Sequence, residues 1–151
     1  MAALREWLLG TQRVSLESSD VLWATIRGTF SEEEARQLTL LLQEQYAELG
    51  RPYYLVVDLG GSMGPVAEET AQSVAPRKLL AEHVRPEWFQ AILFFGGKRS
   101  QREVLQALVV ALQFTGRIRL EARFLETRKE AREWLEAHRQ HHTPPPAEPL
   151  P

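Results

Sequence analysis

Residues 53–59 read YYLVVDL, and Asp58 is their one charged residue. A strand with one face in water alternates apolar and polar residues. A continuous apolar run is what a strand covered on both faces requires. A second run of this kind, QAILFFG, occupies residues 90–96. Both runs stop at paired glycines, in GGSMGP (60–65) and GGKRS (96–100). Between them VAEETAQSVA (66–75) and RKLLAEHV (77–84) predict two helical pieces divided at Pro76, because proline removes a helix hydrogen bond and clashes with the preceding turn. Two buried strands joined through helix make a parallel, right-handed crossover.

The flanking segments extend this pattern. Upstream, FSEEEARQLTLLLQEQYAELG (30–50) predicts a helix with marked ends. Ser31 and Glu34 form a capping box, Glu32 and Glu33 suit the positive end of the helix dipole, and Gly50 and Pro52 stop it. Leu38, Leu41, Leu42, Gln45, Tyr46 and Leu49 share one side. RVSLE (13–17) and VLWATIR (21–27), parted by turn-forming residues, predict a β-hairpin. Leu4, Trp7 and Leu8 predict a short amphipathic turn in a separate N-terminal segment, 1–12. Downstream, Ser100 and Glu103 predict a capping box for a helix over 101–115, ended by Gly116. RLEARFL (119–125) alternates as a strand, and Thr127 with Glu130 caps the helix RKEAREWLEAH (128–138). Three prolines in a row and two more beyond them predict a disordered tail over 141–151. The expected fold is an α/β sandwich over 13–140. Its mixed, mostly parallel sheet has about five strands, with helices on both faces.

Composition excludes several chemistries. The 151 residues contain no cysteine, so disulfides, thiolate metal sites and cysteine nucleophiles are absent. The net charge of −2 gives no global affinity for polyanions, and nucleic acid is not an expected partner. Residues 1–75 carry 11 acids and 5 bases, and residues 76–151 carry 9 acids and 13 bases, an asymmetry that could steer an acidic partner or a head-to-tail contact but is read as solvated helix faces. No apolar run suits a signal peptide or membrane insertion, so a cytoplasmic location is expected. No H-E-x-x-H spacing occurs, and His138, His141 and His142, which could hold a metal only adventitiously, read as solvated side chains. No catalytic residue, metal or cofactor is expected.

Two loops are candidates for contact with a ligand or partner. In open α/β sheets such sites lie beyond the carboxyl ends of parallel strands. Asp58, Gly60, Gly61 and Ser62 follow one central strand, and Gly97, Lys98, Arg99 and Ser100 follow the other. The second loop is not a Walker A motif, since position 92 is isoleucine, and it reads as a strand-to-helix turn with weak capacity for an anion. The helix at 101–115 is apolar over well over half its circumference, more than packing on one sheet face needs. Either the N-terminal segment covers the excess, or Leu105, Val109 and Val110 meet a second subunit.

Three segments carry a family resemblance. They are YYLVVDLGG with its following loop and helix, ILFFGGKRSQREVLQALVVAL, and ARFLETRKEAREWLEAHR. Over about residues 13–139 the chain resembles the STAS domain (sulfate transporter and anti-sigma factor antagonist). It is most similar to the SpoIIAA-like branch of small stand-alone bacterial proteins. The resemblance implies a non-catalytic regulator that works through protein–protein contact, with nucleotide or apolar-ligand binding in related members. It also implies a phosphorylatable serine in a D-[ST]-[SA]-G motif after the central strand. Here Asp58 is followed by LGGSMG, so the motif is missing, and Ser62 lies nearer the strand. Ser62 is therefore not expected to be an efficient phosphoswitch. The resulting expectation is a regulatory or scaffolding module with a protein partner or a homo-oligomer. The alternative is a binder of a small apolar or nucleotide ligand at 58–64 and 96–100.

Overall fold

The computed structural model describes residues 5–27, 31–61, 71–97, 99–115 and 120–142. The elements run β1 (Arg5–Leu9), β2 (Gln12–Ser18), β3 (Val21–Arg27), α1 (Glu32–Leu49), β4 (Tyr53–Gly61), α2 (Ala71–His83), a 3₁₀ turn (Pro86–Trp88), β5 (Phe89–Phe95), α3 (Arg99–Thr115), β6 (Ala122–Leu125) and α4 (Arg128–His142). One six-stranded sheet holds them in chain order, β1 to β6. The first two pairings are antiparallel and the last three parallel.

The sheet separates two cores. On one face α1 packs with Leu38, Leu41 and Leu42 turned inward, and α3 adds Val109, over Val14, Leu22, Leu55, Ile92 and Phe94. On the other face α4 packs Ala131 and Leu135 over Trp23, Tyr54, Val56, Leu93 and Phe95. Neighbouring residues of β4 and β5 thus face different cores, which is why YYLVVDL and QAILFF carry no polar alternation. Tyr53 is fully buried and its hydroxyl donates to the Leu42 carbonyl at 2.6 Å, so the one polar atom it brings inside is paired.

The ends of α1 are as expected. The Ser31 hydroxyl accepts from the Glu34 N–H at 3.0 Å, and the Glu34 carboxylate accepts from the Ser31 N–H at 2.8 Å. Gly50 closes the helix with φ of 75°. Glu34 also does something the sequence did not announce. Its other oxygen accepts from the Thr11 N–H at 2.8 Å and the Thr11 hydroxyl at 3.1 Å, which ties the β1–β2 turn to the start of the helix. Buried Gln12 completes this knot, taking 2.6 Å from the Arg27 N–H and giving 2.9 Å to the Arg27 carbonyl.

Several expectations are corrected. Residues 5–9 form strand β1, not an amphipathic turn, because the two-residue turn Gly10–Thr11 folds them onto β2. Trp7 and Leu9 consequently face the α1 core, Leu8 faces solvent, and the sheet has six strands rather than five. Leu4 lies outside the described residues. Helix α2 runs through Pro76 instead of dividing there. Proline removes one N–H bond in an early turn, a loss that the packing of α2 beside α1 outweighs. Helix α3 begins at Arg99, so Ser100 lies within its first turn rather than capping it, and Glu103 pairs with Arg99 at 3.6 Å. Strand β6 covers 122–125 and leaves out Leu120 and Glu121 of the expected 119–125, whose residue 119 lies outside the described residues. Helix α4 continues through His142 into the expected tail, whose residues 143–151 lie outside the described residues.

Candidate functional site

The parallel pairing of β4 with β5 sets Asp58 opposite Phe95. The residues that follow, Gly60 and Gly61 on one strand and Gly96 and Gly97 after the other, therefore lie at one edge of the sheet. Strand β4 runs two residues further than its apolar run, so Gly60 and Gly61 are strand residues, with Gly61 beside Arg27 of β3. The two chains touch there through backbone. A Cβ on Gly96 would lie 3.1 Å from the Gly60 nitrogen, and Gly96 has a φ of 73°. Only glycine meets both conditions without strain.

Asp58 is buried, and both its oxygens are engaged. One accepts from the Gly60 N–H at 2.9 Å and the other from Arg128 at 3.1 Å. Arg128 opens α4, where Thr127 caps the helix by accepting from the Glu130 N–H at 3.2 Å. The Arg128 guanidinium also lies over the rings of Trp23, at 5.4 Å, and Phe95, at 5.9 Å. One turn on, Arg132 covers Trp23 at 4.5 Å and reaches Glu17 at 3.7 Å. A cation held between a carboxylate and an aromatic face combines two attractions. Asp58 thus fixes the 58–60 turn and the start of α4 together. It is not a free base.

The basic residues of the second loop are partly spent. Arg99 is largely exposed beside Glu103, and Arg102 makes a two-pronged contact with Glu126 at 2.8 and 3.0 Å. That hydrogen bond lowers the Glu126 carboxyl below its ordinary range. The acids oppose anion binding at this helix start. Ser62 and Lys98, and the side chain of Ser100, lie outside the described residues. Among the described residues no group of three or more histidines, aspartates and glutamates is placed to hold a metal ion.

The three candidate interface residues separate. Val109 is buried in the core of its own chain, Leu105 is half-buried against the same core, and Val110 is 52% exposed. The described part of the N-terminal segment, 5–12, does not cover α3, because β1 lies at the far edge of the sheet from β5 and β6. His138, expected in solvent, instead shares a 2.9 Å hydrogen bond with the Tyr54 hydroxyl and stacks on Trp134 at 4.6 Å. Nearby, Arg139 pairs with Asp20 at 3.1 Å. Helix α4 is therefore pinned at both ends by polar contacts, at Asp58 and at Tyr54 with Asp20. None of these pairings was read from the sequence, although the Arg128–Arg132 spacing of one helical turn marks a single basic flank.

The family model described as SpoIIAA-like matches residues 21–136. The chain belongs to the SpoIIAA-like family. The match begins at β3 and ends within α4, so the β1–β2 hairpin lies outside it. No curated protein and no solved structure matches this SpoIIAA-like chain. Among the described residues no helix is long and apolar enough to cross a membrane.

Proposed function

We propose that this SpoIIAA-like protein is a non-catalytic regulatory or scaffolding module of the cytoplasm. In this reading it works by binding another protein at the edge formed by 58–61 and 96–99. The observation that carries the reading is the Asp58 clamp. It spends the one buried carboxylate of this edge on Gly60 and Arg128, which suits a preformed docking surface better than acid–base chemistry. Gly97 and Arg99 stand exposed beside it and offer backbone and charge to a partner. The test is affinity capture from native cells with the full chain, comparing wild type with Arg99→Glu. A protein retained by wild type and lost with the variant supports the reading. Equal capture by both refutes docking at this edge.

A cleft of about 890 Å³ between α1 and α2, lined by Leu40, Leu79 and Trp88 with Arg36, Lys78 and His83, favours the second reading, a small amphipathic ligand. Native mass spectrometry of gently purified protein separates the two, since a retained small molecule supports the second and a retained polypeptide the first.

A further inference from the structure

We infer that the outer edge of β1 is a self-association site, at which a second copy of the chain adds its own β1 antiparallel and continues the sheet. Leu9 and Gln12 flank the two-residue turn Gly10–Thr11, where Gly10 has a φ of 63° and takes the first central position. The pair flanking such a turn exchanges both backbone hydrogen bonds, and bonded pairs then alternate along the ladder. Arg5, Trp7 and Leu9 accordingly bond to β2. The N–H and C=O groups of Glu6 and Leu8 point the other way, and β1 is the last strand of the sheet. Leu8 is 74% exposed, the largest value among the large apolar side chains described.

The sequence of this strand, REWLL, fits its own reverse. With Trp7 opposite Trp7 of the second copy, Glu6 of each chain bonds with Leu8 of the other, and all four free backbone groups are satisfied. The two Trp7 rings then meet on the α1 face as a cross-strand aromatic pair, a favoured contact. On the opposite face each Leu8 sits between Arg13 of its own chain and Glu6 of the second copy, since Leu8 and Arg13 are paired in the ladder. The other sheet edge is less suited: β6 has four residues, and Arg123 within it pairs with Glu121 at 2.7 Å, a charged edge of the kind that discourages pairing. The β1 edge lies outside the SpoIIAA-like match and away from the 58–61 edge, so the inference stands apart from the regulatory reading.

Sedimentation velocity of the full chain at rising concentration tests it, with a charge swap to fix the register. Wild type should reach a dimer at high micromolar concentration. Leu8→Glu places like charges together twice at the seam, yet in the monomer it faces Arg13, so the fold should survive while association weakens by about tenfold or more. Leu8→Lys meets Glu6 of the second copy instead and should associate more tightly than Leu8→Glu. The double variant Glu6→Lys with Leu8→Glu restores opposite pairing and should recover the dimer. A wild type that stays monomeric overturns the inference, as does a dimer indifferent to these charges.

Discussion

Replacing Glu34 with glutamine tests whether one side chain joins the hairpin to the first helix. The native carboxylate accepts the Ser31 N–H through one oxygen and the Thr11 N–H and hydroxyl through the other, all within 3.1 Å. Glutamine has one acceptor oxygen, so either the helix cap or the turn loses its acceptor. Hydrogen bonds to a charged group contribute about 1.5–3 kcal/mol each, and the negative charge near the helix start adds roughly 0.3–1 kcal/mol. A loss of about 2–3 kcal/mol is expected, which in a chain of this size lowers the melting temperature by roughly 4–12 °C. The pH dependence sharpens the test. Burial pushes the Glu34 carboxyl up, but the Ser31 and Thr11 backbone donors and their hydroxyls outweigh it and hold it below its ordinary 4.5. A carboxyl lowered by folding stabilises above its unfolded value, and that stabilisation is lost as pH falls through the folded value. Melting curves followed by circular dichroism between neutral pH and the acid side of 4.5 should thus show the gap between wild type and Glu34→Gln closing as pH drops. A gap below about 1 °C at neutral pH, well under the shift for ~1 kcal/mol, or one that does not narrow in acid, refutes the reasoning.

Further substitutions probe the other junctions. Gly10→Ala should cost upwards of about 1–2 kcal/mol in urea unfolding, because the new Cβ takes a left-handed backbone and lies 2.9 Å from Glu34 Cδ. Gly96→Ala should cost a similar ~1–2 kcal/mol, since its Cβ meets the Gly60 backbone rather than a side chain that can move aside. Tyr53→Phe should cost about 0.5–1.5 kcal/mol by removing the second donor to the Leu42 carbonyl, measured by the same unfolding curves. Burial also pushes the Tyr53 and Tyr54 hydroxyls above their ordinary 10.0. Stability from these two groups is complete below pH 10 and declines as pH rises beyond it, so ultraviolet titration should show their ionisation delayed until the fold gives way.

Elements with strong local signals were legible in the sequence. The capping box at Ser31 and Glu34 fixed the start of α1, Gly50 fixed its end, and the apolar runs at 53–59 and 90–96 located the central parallel pair. Where local preference competed with pairing, the reading failed. Leu4, Trp7 and Leu8 have helical spacing, and REWLL shows no polar–apolar alternation to mark a strand. The decision came from a hydrogen-bonding partner that lies later in the chain, onto which the turn at Gly10 folds Arg5–Leu9. Pro76 failed for a related reason: its local penalty is real, yet a helix packed along its length tolerates the loss of one early bond.

The candidate edge was half legible, and the missing half has a physical cause. That Asp58 and the 96–100 turn would share an edge follows from two parallel neighbours, a rule about strands rather than about residues. That Asp58 would be held by Arg128 follows from no such rule, because the pair is separated by 70 positions and depends on where α4 crosses the opposite face. The aromatic floor adds a second long-range condition, since Trp23 comes from β3 and Phe95 from β5. The charge pattern of α4 does contain a clue. Arg128, Arg132 and Arg139 lie along one flank, and each finds an acid on the sheet side: Asp58, Glu17 and Asp20. A solvated face would leave these arginines to the glutamates of their own helix. The N-terminal half of the chain is acidic and the C-terminal half basic, and these three ion pairs join one to the other. The asymmetry first assigned to solvated helix faces is therefore in part an internal fit between α4 and the sheet.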